Sequence, residues 1–130
     1  MSKQVNNSYT LSLIIPCYNQ DYLINKDVAE AFKFFRKAKI RSEMIMVDDG
    51  CKDNTSQVVR RLMKKYKDLK LIVNLKNLGK GGAVRNGVLA AKGKYIMFAD
   101  AGYCVKYENI LKGIRLIDSG SDCALATRSG

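Results

Sequence analysis

Three short strings in this sequence gather residue types able to handle a charged ligand. Asn77-Leu78-Gly79-Lys80-Gly81-Gly82 sets glycines and a lysine where a helix is expected to begin. Glycines there let backbone N–H groups approach an anion, the helix dipole favours negative charge, and Lys80 adds a mobile cation. The spacing matches neither a P-loop nor the dinucleotide G-x-G-x-x-G, and a flexible loop before an ordinary helix reads the same way. Asp48-Asp49-Gly50 places two mutually repelling carboxylates side by side. One of them is expected to turn to a base edge, a ribose or a helix cap, although Asp before Gly also makes a common turn. Asp100-Ala101-Gly102 offers a single carboxylate. It could hold a hard cation if a diphosphate supplied the remaining oxygens, or simply close a turn. Arg128 reads as a cation at the same rim or as a solvated end of the chain.

Alternating elements are needed to position these strings. Tyr9 to Ile15 reads as a buried strand stopped by Pro16. Val28, Ala31, Phe32, Phe35 and Ala38 mark an amphipathic helix over 27–39. Glu43 to Val47 is a second strand, followed by a helix capped by Asp53 or Asn54 and running to about Lys67. Leu69 to Val73 is a third strand, and Gly79 to Gly82 opens a helix that Gly93 ends. Lys94 to Ala99, a helix over 109–117 and a strand over 122–127 complete the order β-α-β-α-β-α-β-α-β. Such alternation predicts a mostly parallel sheet with helices on both faces and ligands beyond the carboxyl ends of the strands. Pro16, Tyr18, Asn19, Asp48, Asp49, Asn77 to Gly82 and Asp100 all fall just past a strand in this scheme.

Composition narrows the classes. The chain has 130 residues, is 47% hydrophobic and carries a net charge of +11. That suits one domain with a proper core, preceded by a loose, polar terminus over 1–8. The basic balance favours phosphate-bearing partners. Cys17, Cys51, Cys104 and Cys123 form no C-x-x-C pair and there is no histidine, which argues against zinc. No signal peptide or bilayer-length apolar run is evident, so the expectation is a cytoplasmic protein with free thiols. Nucleic-acid binding is set aside, because the cations are spread along the chain and neither an RNP-like pattern nor a KH-type loop is present.

Read as an ordered set, the strings carry more than they do singly. Leu13-Ile14-Ile15-Pro16-Cys17-Tyr18-Asn19, Val47 to Thr55, Asn77 to Gly87 and Phe98-Ala99-Asp100-Ala101 resemble the successive motifs of family-2 glycosyltransferases. Gly79-Lys80-Gly81-Gly82-Ala83 and Lys106-Tyr107 look most like the dolichyl-phosphate (polyprenyl-phosphate) glucose and mannose synthases, and Ala126-Thr127-Arg128 is similar to a Gly-Ser-Arg of that group. The resemblance implies a GT-A, Rossmann-like three-layer α/β/α fold. It implies a single nucleotide-sugar-binding domain over 9–130, with the family's acceptor half lacking.

By resemblance, Pro16, Tyr18 and Asn19 line the base and ribose pocket. Asp49 bonds the nucleobase with Asp48 nearby, and Lys80, beside Gly79, reaches the base or the diphosphate. Asp100 is the first carboxylate of a D-x-D motif that binds Mg²⁺ or Mn²⁺. Gly102 stands where the family has the second carboxylate, which leaves Asp100, aided by Asp118, Asp122 or water, to hold the metal. No catalytic residue is assigned. The implied reaction moves a hexose from a UDP- or GDP-sugar to a polyprenyl phosphate with inversion, at the cytoplasmic face of a membrane. An acceptor phosphate needs little help from a base, since its second pKa lies near 6. A non-catalytic or truncated nucleotide-sugar-binding module is the alternative, and self-association into a homodimer would cover surface that the other half covers in relatives.

Overall fold

A computed structural model describes residues 9–102, 108–118 and 120. Ser42–Asp49 forms a strand (β2) in which all eight residues are buried. Such a run needs a strand on each side. Tyr9–Cys17 (β1) and Leu69–Asn74 (β3) supply them, and Gly93–Phe98 (β4) lies beyond β1. The order is β3-β2-β1-β4 and every pairing is parallel. Asp21–Ala38 (α1), Thr55–Met63 (α2), Gly79–Ala90 (α3) and Glu108–Asp118 (α4) alternate with the strands. The predicted strand over 122–127 lies outside the described residues, as does Arg128.

Period-2 alternation sends Leu11, Leu13 and Ile15 of β1 to one face of the sheet and Ile14 to the other. The first face makes the main core with Met44, Met46, Val59, Ile110 and one stripe of α1. That stripe is Ile24, Val28, Ala31 and Phe35, at helical spacing. On the other face Ala83 of α3 packs with Ile14, Ile45 and Val47. Helices therefore cover both faces, as the alternation predicted. Ser12↔Ile96 and Ile14↔Phe98 are in register, so Ile96 and Phe98 share the α3 face of the sheet. Both stay about half exposed there, because α3 sits over β1 to β3.

The structure differs from the sequence reading in several places. Helix α1 begins at Asp21, six residues before the predicted start. No Gly or Pro breaks the chain from 21 to 27, Asp21 suits the positive helix end, and Ile24 extends the apolar stripe. Pro16 does not stop β1, which stays in register with β2 through Cys17↔Asp48. Alternation points the backbone of Pro16 to the same side as Ile14, toward β4. The β4 ladder ends at Ile14↔Phe98, so the missing N–H leaves no ladder bond unmade. Helix α2 ends at Met63 and not near Lys67, because the turn that lets Leu69 N–H reach the Tyr66 carbonyl (3.2 Å) leads into β3. Gly93 opens β4 and does not end α3, which stops at Ala90 where Ala91 turns extended. Asp48 and Asp49 lie within β2, paired as Asp48↔Val73 and Asp49↔Asn74, and not beyond it.

Candidate functional site

From β1 the chain builds β2 and β3 on one side, then returns to place β4 on the other. A reversal of this kind opens a crevice at the carboxyl ends of the two strands that flank it. A cleft of about 450 Å³ lies there. Pro16, Cys17, Tyr18, Gln20, Asp49, Asn77, Gly79, Lys80, Asp100 and Ala101 line it. Six of the eight residues singled out in the sequence are among them. Asn19 and Asp48 are not.

The two adjacent aspartates have separate tasks. Asp48 is consumed by its own loop. One carboxylate oxygen accepts the Cys51 N–H (2.7 Å) and the other accepts the Ser56 hydroxyl, which ties the end of β2 to the first turn of α2. Asp49 is 4% exposed and belongs to the cleft wall. Its Oδ1 accepts from Asn74 Nδ2 (3.0 Å) and from the Leu78 N–H (2.9 Å) at the entrance of α3. Asn74 in turn accepts from Asn86 Nδ2 (2.8 Å). A line from α3 through β3 thus fixes the Asp49 carboxylate, whose Oδ2 takes no part in it. Gly50 makes the close approach feasible. Its φ is +75°, and a Cβ there would stand 2.6 Å from the Asn77 backbone nitrogen.

Asn19 also works between loops. Its Oδ1 accepts the Lys52 N–H (2.9 Å), and its own N–H meets Cys51 Sγ (3.3 Å). Next to it, Asp53 accepts the N–H groups of Asp21 and Thr55 (3.0 Å each) and the Thr55 hydroxyl. Burial alone would raise the Asp53 pKa, but the Thr55 hydroxyl and these amides hold it below the usual carboxylate range. Asp53, and not Asn54, therefore caps α2 with its side chain. Burial pushes the thiols of Cys17 and Cys51 up, so both are neutral packing groups.

Across the cleft, Lys80 Nζ lies 2.6 Å from Asp100 Oδ1, with the two side chains 56% and 40% exposed. The same ammonium is 5.9 Å from the centre of the Phe98 ring. Beyond Asp100 the backbone turns through Gly102 at φ +74°. The Gly102 N–H is held by the buried Asp27 carboxylate of α1 (2.8 Å), and a Cβ on Gly102 would meet Leu23 Cδ1 at 2.3 Å. Burial raises the Asp27 pKa, partly offset by the Gly102 N–H.

These residues are a poor match for a protein-held divalent cation. Asp100 is the cleft's carboxylate on the β4 side and already faces an ammonium. Gly102, at the second carboxylate position of the motif, brings no side chain to the site. Among the described residues no three His, Cys, Asp or Glu side chains converge as a metal group. No described helix is long and apolar enough to cross a membrane. Asn77 lies in the glycine-rich string that the sequence reading singled out; Cys17, Gln20 and Ala101 were given no role there, although each adjoins a residue that reading singled out or lies within a quoted motif.

Comparison with known proteins adds a family to this geometry. The chain is 39% identical over 115 residues to the dolichyl-phosphate beta-glucosyltransferase of Saccharomyces cerevisiae, covering 84% of this chain and 34% of the relative. The Homo sapiens protein of the same name is 36% identical over 109 residues, covering 78% and 34%. The chain thus spans about a third of the length of the curated relatives it matches. The fold is that of the GT-A glycosyltransferases. S. aureus TarS 1-349 in complex with UDP-GlcNAc matches with a TM-score of 0.69 and 27% identity, over 85% of this chain and 31% of that one. The mannosyltransferase PcManGT from Pyrobaculum calidifontis, in complex with GDP-Man and Mn²⁺, matches with a TM-score of 0.65 and 24% identity, over 76% and 30%. With a family model matching residues 12–130, from the first buried strand through every motif that lines the cleft, the chain belongs to glycosyl transferase family 2.

Proposed function

We propose that the cleft is the donor site of a glycosyltransferase that moves a hexose from a UDP- or GDP-sugar to a polyprenyl phosphate with inversion, with 9–130 acting as one nucleotide-sugar-binding unit. The observation that carries this reading is Asp49, a buried carboxylate fixed by Asn74 and the Leu78 amide on the wall of a cleft that a lysine faces. The cleft volume lies within the range of small-molecule sites, roughly 300–1,000 Å³. Asp49 is assigned to the nucleobase, Pro16 and Tyr18 to the base and ribose walls, and Gly79 and Lys80 to the diphosphate. Asn19 and Asp48 act on the site through the loops they bind. The dolichyl-phosphate relatives support the polyprenyl-phosphate acceptor class, and such an acceptor would be met at the cytoplasmic face of a membrane, to which the basic surface would be drawn. Asp100 as a ligand of Mg²⁺ or Mn²⁺ is not part of the reading, because its oxygen is engaged by Lys80.

Calorimetric titration of UDP-glucose and GDP-mannose against wild type and Asp49→Ala tests the assignment. Saturable binding of one donor, weakened at least about tenfold by the substitution, is expected from loss of a charge-assisted hydrogen bond. No binding of either donor to folded protein would reject it. A binding module without transferase activity is the second reading, favoured by Gly102. Binding without transfer to polyprenyl phosphate would select it.

A further inference from the structure

The Lys80–Asp100 pair bears on what neutralises a donor's diphosphate, an inference that rests on the donor-site reading above. A nucleotide diphosphate needs positive charge beside it, from a metal, from side chains or from both. Magnesium can be held by one carboxylate plus substrate phosphates, but that carboxylate must then be free to bind it. Here Asp100 Oδ1 has an ammonium at 2.6 Å, and a divalent cation on that oxygen would sit against a like charge.

The neighbouring backbone closes the other route. The Gly102 N–H is tied to Asp27 at 2.8 Å, its φ is +74°, and any Cβ would run into Leu23. A second carboxylate in this turn would need a strained positive-φ residue and a shift of Leu23, and this chain has none there. Lys80, by contrast, stands at the glycine-rich start of α3 and lines the cleft. Its pairing with Asp100 is partly exposed and uses one of three N–H donors, which leaves the ammonium able to meet a second anion from the cleft.

We propose that the Lys80 ammonium, and not a protein-held divalent cation, meets the donor's diphosphate in this chain, and that Asp100 is a positioning residue for Lys80. Donor binding is then independent of added metal. Lys80, whose ammonium has three N–H donors, stays on Asp100 and takes the diphosphate beside it when the cleft fills.

Calorimetry with UDP, GDP and UMP, in EDTA and in MnCl₂, decides the matter on wild type, Lys80→Met, Lys80→Arg and Asp100→Asn. Lys80 is more than half exposed, so its variants are not expected to perturb folding. The expected result is UDP affinity equal within about twofold in EDTA and in Mn²⁺, and about tenfold or more weaker in Lys80→Met, as for loss of a charged hydrogen bond. Lys80→Arg retains most of the affinity, and UMP loses less than UDP in Lys80→Met. Asp100→Asn shifts UDP affinity to the same degree in EDTA and in Mn²⁺. UDP binding that requires Mn²⁺ and loses that requirement in Asp100→Asn would overturn the proposal while leaving the donor site standing. Metal-independent binding unaffected by Lys80→Met would also overturn it. Binding of neither UDP nor GDP under any condition would reject the donor site itself, and this proposal with it.

Discussion

Glu43 and Asp49 stand near opposite ends of the same buried strand, 2% and 4% exposed, and they do different things. Glu43 Oε2 accepts the Ser12 hydroxyl (2.6 Å) and the Lys92 N–H (2.7 Å), and Ser12 Oγ accepts the Gly93 N–H (2.8 Å). That network locks the passage from α3 into β4 against β1 and β2. Asp49 is bonded just as firmly, by Asn74 and Leu78, yet forms part of a cleft wall. A buried carboxylate in a parallel sheet is thus not a site by virtue of burial or bonding. What separates the two is the backbone around them. At the Glu43 end the chain crosses tightly and covers the charge. At the Asp49 end β1 and β2 stay paired, but the β1–β4 ladder has already ended at Ile14↔Phe98 and the crevice opens there.

The sharpest test of the comparison is Glu43→Ala. A buried hydroxyl and a part-buried amide lose their acceptor, and stability should fall by on the order of 2 kcal/mol in urea denaturation. The affinity of the molecules that remain folded for a nucleotide donor should not change. A loss of affinity larger than the loss of stability explains would mean that the two ends are coupled. Asn74→Ala is expected to be milder for the fold, about 1–2 kcal/mol, but to weaken donor binding several-fold, because it lets the Asp49 carboxylate turn. Unchanged binding would remove Asn74 from the site.

A smaller effect comes from acid. Asp53 titrates below the usual carboxylate range, so its contribution is fully present at neutral pH and is lost as pH falls through its lowered pKa. Asp27 has the opposite sign. Its raised pKa disfavours the fold increasingly as pH rises from the ordinary aspartate pKa of about 4 to the raised value, above which the penalty is complete. Asp27→Asn, which keeps an acceptor for Gly102, should therefore raise the melting temperature at pH 7, and the gain should fade on acidification. A gain that persists at low pH would show that packing, and not ionisation, is responsible.

Much of this was legible in the sequence. The alternation of apolar runs gave the parallel sheet, and the motifs falling after each run located the cleft. Asp49, Lys80 and Gly79 were found because their types are unusual beside apolar strands. What escaped was set by tertiary pairing. Pro16 reads as a stop, and only the early end of the β4 ladder makes it harmless within β1. Asp48 and Asp49 are equivalent by residue type; the family resemblance singles out Asp49, and the reach of Ser56 and Leu78 gives the physical difference. Glu43 carries no motif at all, since its partners Ser12 and Lys92 are 31 and 49 residues away. The Asp100–Lys80 pairing likewise joins two motifs that each suggest a ligand separately.

Strand β4 gives the cleft a thermodynamic handle. It is paired to β1 across a separation of 81 residues, as the Ser12–Gly93 bond marks, and α3 leaves one of its faces half open. Detachment of β4 would carry Asp100 away and dissolve one wall, while the Asp49 wall, made by β1, β2 and β3, stayed intact. A ligand that spans both walls binds only the docked form, so occupancy and strand docking become one equilibrium. The backbone amides of residues 93–98 should then exchange with solvent more slowly when the cleft is filled, which makes a strand that touches little of the ligand the most sensitive reporter of its arrival.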